Sequence, residues 1–87
     1  MDEEAMVAIF KQRQTMARIL GVHDTRNHTD PAIPDRQLGQ AIQFIANAPA
    51  DDYDVRRSVV FYGQTGSLNA SQCAALWARF GAQLIAA

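Results

Sequence analysis

Four side chains able to do chemistry fall close together. His23, Asp24, His28 and Asp30 lie on one polar stretch, Gly21 to Pro34. Imidazole and carboxylate groups are transition-metal ligands, and a His beside an Asp can move a proton. A loop could fold the four into a small metal site or an acid–base pair. The same residue types also make turns and caps in an ordinary polar loop. The spacing is not that of a helical His pair, and Asp30-Pro31 argues against a helix there. No further ligand is specified, so no metal and no cofactor is expected.

Other nucleophiles are poorly placed. Ser58, Ser67 and Ser71 are outside any Gly-x-Ser-x-Gly elbow. Cys73 falls on an apolar helix face and reads as a small core residue. Gly63-Gln64-Thr65-Gly66 lacks the lysine of a phosphate-binding loop. The chain is therefore read as a non-enzyme. Two readings of its function remain. In the first, it binds a protein partner by surface complementarity, as an inhibitor or accessory factor encoded by a phage or mobile element would. Arg26 and His28 near the loop tip, Arg56, Arg57 and Ala78 are the candidate contacts. In the second, it is a nucleic-acid-associated regulator: Arg56 and Arg57, with Arg36, contact phosphate, and two later helices act as a helix-turn-helix. Against the second, Asn69-Ala70-Ser71-Gln72 has no basic residue, and Asp51, Asp52 and Asp54 crowd the Arg pair.

The elements that must position these groups read as helices, giving an all-α bundle of four. The first is expected over residues 2–20. Met6, Ile9, Phe10, Met16, Ala17 and Leu20 recur at helical spacing, and Gly21 is a natural stop. Arg13 falls inside that apolar face. Its stem is expected to lie over the core edge with the guanidinium in water. A buried pair with Asp51, Asp52 or Asp54, or an interface role, are the alternatives. A long loop, 21–33, follows. The second helix, 34–47, opens at Pro34 and carries Leu38, Ala41, Ile42 and Ile45 on one stripe. Gly39 within it is costly by propensity and points to a close helix approach.

The third helix is expected over 51–62, with Val55, Val59 and Tyr62 on one face. Ser58 to Tyr62 is also a β-favouring run, but no strand partner is evident, and a lone strand is unstable. The fourth helix, 69–86, has the best-marked start. Asn69 and Gln72 make a capping box, with Leu68 and Cys73 as its staple. Cys73, Leu76, Trp77, Phe80 and Leu84 form its main apolar face. A second, small-residue stripe of Ala74, Ala78, Gly81 and Ile85 suggests burial on two sides and a possible homodimer.

Composition fits one globular domain. The chain has 87 residues, 48% of them hydrophobic and 20% charged, and a formal net charge of −1. That balance argues against disorder and against a strongly basic nucleic-acid binder. One cysteine excludes an internal disulfide. The acidic start and short apolar runs suggest a cytoplasmic protein without a membrane span. Seven of eight basic residues are Arg, which suggests a GC-rich bacterial or phage source.

Overall fold

Asp2 opens the first helix, its carboxylate accepting from the Ala5 N–H at 2.7 Å. This helix, α1, runs only over Glu3–Lys11. Beyond it the computed structural model, which describes residues 1–86, departs from the expected bundle. Met16–Leu20 is a strand, β1, burying Ala17 and Ile19 while Met16, Arg18 and Leu20 face outward. Apolar residues at 16, 17 and 20 fit a helical stripe and a strand almost equally over so short a run. Ile19, which the helical reading left off its stripe, goes into the core with Ala17.

The expected loop holds a short strand, β2 (His23–Asp24). Arg36–Gln37 forms β3 and leads directly into α2, Leu38–Asn47. A 3-10 turn, Ala48–Asp51, ends with Asp52 in the left-handed conformation (φ 65°). The third expected helix is replaced by β4 (Tyr53–Asp54) and β5 (Val59–Tyr62). Residues 63–65 turn the chain into β6, Gly66–Asn69. The strand partners that seemed absent are β1, read as helix, and β6, read as turn and cap. β1, β3, β5 and β6 form a four-stranded antiparallel sheet in the order β3-β1-β5-β6, and β2 pairs with β4. The fold is mixed α and β, and the all-α bundle does not exist.

The start of the last helix is as expected. Asn69 Oδ1 accepts from the Gln72 N–H at 2.8 Å, and Gln72 Oε1 accepts from the Asn69 N–H at 2.9 Å. The helix, α3, spans Ala70–Phe80, and a 3-10 turn over Gly81–Leu84 follows. Cys73, Leu76 and Leu84 are buried as the main face requires. Ala74, Ala78 and Ile85 of the second stripe are exposed, so nothing among the described residues covers that side.

One two-layer core results. Ile19, Val60 and Leu68 from the inner sheet face meet Leu38, Ala41, Ile42 and Ile45 of α2 and Cys73 and Leu76 of α3. Phe10 of α1 stacks on Phe80 of α3, ring centroids 4.6 Å apart. Arg13 follows α1 in a turn, so no helix face has to accommodate it. Its guanidinium lies 4.4 Å from the Phe10 ring centroid, and Nη1 donates to the Phe10 carbonyl at 3.3 Å. Asp52 and Asp54 pair elsewhere, with Arg26 and Arg56. The guanidinium is thus held against the core edge with Nε buried, rather than reaching freely into water.

Gly39 is buried in α2 where that helix meets the C-terminal 3-10 turn. A Cβ there would collide with the Leu84 carbonyl, which is backbone and cannot move aside cheaply. Helix propensity alone would have Gly39→Ala stabilise the chain by about 1 kcal/mol. Overpacking against fixed backbone should reverse the sign, with a net loss of about 1–3 kcal/mol. Urea denaturation checks this, and a stabilised variant would contradict the close approach.

Candidate interaction surface

An antiparallel sheet with helices on one side usually turns polar residues to the other. Here strand alternation turns Met16 and Leu20 outward from β1, and Phe61 from β5. They are 58%, 51% and 47% exposed. Arg18 stands between the two β1 side chains and directly opposite Phe61. The outer face therefore carries an apolar row around Arg18, with Ser67 and Asn69 of β6 exposed on the same side. Helical spacing had placed Met16 and Leu20 in the core. Reading Met-Ala-Arg-Ile-Leu with a period of two would have separated the outward set from the inward one.

Next to this face lies a groove of about 820 Å³, whose lining includes Arg18, Leu20, His23, Ile33, Asp54 and Arg57. Its origin is local. β3 pairs with β1 through Met16↔Gln37 and Ala17↔Arg36. The Leu38 N–H donates to the Thr15 carbonyl at 2.7 Å, which fixes the phase of the ladder. Continuing that register sets Pro34 opposite Ile19, at a position that must donate a ladder hydrogen bond. Proline has no N–H. The ladder stops, and the strap 30–35 parts from β1.

Two ion pairs and a His–Asp hydrogen bond line the groove. Arg18 Nε lies 3.3 Å from Asp35 Oδ1, and His23 Nδ1 lies 2.7 Å from Asp30 Oδ1. Asp54 accepts from Arg56 three ways: Nη2 at 2.8 Å, Nε at 3.1 Å and the backbone N–H at 3.0 Å. These bonds hold its carboxyl at a pKa of about 2, with His23, its partner across the β2–β4 pair, adding to the effect. Arg57, also in the lining, has no carboxylate partner among the described residues.

The four groups of the His/Asp loop are not brought together. Asp24 turns its carboxylate back on the chain, accepting from the Arg26 N–H (2.9 Å) and from Asn27 Nδ2 (2.9 Å). The Asn27 side-chain bond, followed by backbone bonds from Asn27 and Arg26, lowers its pKa. Asp24 and Thr29 exchange backbone hydrogen bonds across the tip, with His28 in the left-handed region (φ 53°). His23 and Asp30 form a solvent-facing hydrogen-bonded pair, and the exposed His28 takes part in neither that contact nor the Arg26–Asp52 ion pair. Among the described residues, no three metal-capable side chains converge. Of the candidate contacts, Arg56 and Arg57 reach the groove. Arg26 pairs with Asp52 at 2.7 Å on the loop, and Ala78 is exposed on α3. The helix pair of the nucleic-acid reading is lost, because residues 51–62 supply strands.

Cys73 has no solvent exposure, and burial pushes its thiol pKa up to about 12. No helix among the described residues is long and apolar enough to cross a membrane. No family model, curated protein or solved structure matches the chain.

Two outcomes follow from these shifts. The pKa of folded Asp54 lies below the ordinary 3.8. Ionised Asp54 therefore stabilises the fold above pH 3.8, and that contribution is lost as pH falls towards 2. Thermal melts from pH 7 to 2 should show Asp54→Asn less stable than the parent near neutrality, with the gap closing below pH 4. A constant gap would remove the ionic term. Separately, Cys73 is expected to resist an aromatic disulfide reagent at pH 8 in the folded protein and to react promptly in 6 M guanidinium. Equal rates in the two conditions would show that the helix end opens readily.

Proposed function

We propose that the protein acts without catalysis, by binding another protein through the open face of its sheet, as an inhibitor or accessory factor does. The observation that carries this reading is the row Met16, Leu20 and Phe61, about half exposed on one sheet face. Single exposed apolar residues are normal. Several on one face mark a contact surface. Phe, Met and Arg are also the types enriched at interface centres, and Met adapts to irregular partner surfaces. The rim contributes Arg56 and Arg57 of the expected contact set, which flank the same groove. Arg26, His28 and Ala78 lie off this face and are not needed for it.

A nucleic-acid role has less support. Arg18 and Arg56 are occupied by Asp35 and Asp54. The surface near them is electrically balanced, which suits protein recognition better than phosphate binding.

A photo-crosslinking amino acid tests the face in cells that express the protein. Placed at Phe61 it should give a discrete protein adduct, and placed at Ala8, exposed on α1, it should not. Phe61→Ser with Leu20→Ser should abolish the adduct while changing stability by only about 1–2 kcal/mol, the scale of two cross-strand pairs. Equal labelling from both positions, or an adduct that survives the double substitution, would refute the assignment.

A further inference from the structure

α1 is held to the rest of the protein by side chains alone. Among the described residues, no backbone hydrogen bond joins residues 1–12 to the chain beyond their own turn. The first backbone tie to the body is at Arg13, whose carbonyl accepts from the Gly39 N–H at 2.8 Å. Only Ile9 of α1 is buried; Met6, Val7 and Phe10 are half-buried and its other residues are exposed. The helix α2, of similar length, buries Leu38, Gly39, Ala41, Ile42 and Ile45.

What α1 packs on is the C-terminal end of α3. Phe10 stacks on Phe80, and each ring carries a guanidinium. Arg13 lies 4.4 Å from the Phe10 centroid, and Arg79 lies 4.7 Å from that of Phe80. Arg79 Nη2 also donates to Glu3 Oε1 at 2.7 Å. Both side chains of that pair are about half exposed, so it adds little to the attachment. The aromatic stack and Ile9 are therefore the main hold. Docking also carries a cost. Arg13 Nε is buried without an acceptor, and an unpaired buried donor is unfavourable. Because this guanidinium lies on the Phe10 ring, departure of α1 returns it to water.

A helix of nine residues is too short to persist alone in water. We propose that α1 is a docking-dependent cover. It leaves Phe80 and loses its helix in one step, while the sheet, α2 and α3 stay folded. Docking and helix formation are then a single equilibrium, with a free energy below that of global unfolding. The docked form is the dominant one. Departure bares Phe80 and releases Arg79 from Glu3, so the end of α3 has a covered and an uncovered state.

Native-state hydrogen exchange on the full chain, read by ¹⁵N spectroscopy, tests this. The amides of Ala8, Ile9 and Phe10, inside α1, should be about a hundredfold or more less protected than those of Ile42, Ile45 and Leu76. Low concentrations of guanidinium should accelerate exchange in the core while barely changing it in α1, because the local opening exposes little surface. Phe10→Ala should move the α1 signals to coil positions and leave those of the sheet and α2 in place. Equal protection in α1 and α2 overturns the proposal, because α1 would then open only with the whole fold. A Phe10→Ala variant that keeps its α1 helix also overturns it. So does one in which the sheet and α2 unfold together with α1. Exchange in the parent chain decides the matter without any substitution.

Discussion

Burial of the inner sheet face against α2 is the constraint on which the rest depends. Ala17 and Ile19 of β1 and Val60 of β5 point inward onto Leu38, Ala41, Ile42 and Ile45. Because side chains on a strand alternate, sending Ala17 and Ile19 in necessarily sends Met16, Arg18 and Leu20 out. The helices lie on one side only, so the outward set meets no layer of its own. The exposed apolar row is a geometric consequence of the core, and its apolar character is what makes it informative.

The close seating of α2 follows from the same packing. Gly39 lets the helix touch the carbonyl of Leu84, which closes the C-terminal turn onto the core. β3 runs into α2 without a loop, and the backbone of Gly39 donates to the Arg13 carbonyl at 2.8 Å. The turn between α1 and β1 is thereby tied to the start of α2. With that junction fixed, the β1–β3 register is fixed, and Pro34 falls opposite Ile19. One proline then decides where the sheet splits and where the groove opens.

The groove is electrically mixed rather than basic. Most of its cations are matched internally, and Arg57 remains the exception. A surface of this kind discriminates partners by where a charge sits. The apolar face beside it supplies area. Face and groove meet at Arg18 and Leu20.

The legible parts of the sequence were those set by neighbours in the chain. Asn69 caps α3 through a bond from the residue three positions on. Residues 63–65 form a turn, the stripe of α2 is buried, and Cys73 is inside. The tertiary structure alone decided whether Met16–Leu20 and Val59–Tyr62 were strands. Each run is four or five residues, too short for its periodicity to separate helix from strand, and each is stabilised by a partner about forty residues away in the chain. Misreading one removed the partner that would have identified the other. The same dependence hid the candidate surface. Phe61 and Arg18 face one another only through that pairing, and Arg57 comes to line the groove with the strap only in the folded chain. Local hydrogen bonds are written into adjacent residues, whereas strand pairing is a relation between distant ones, and a single chain read in order does not display it.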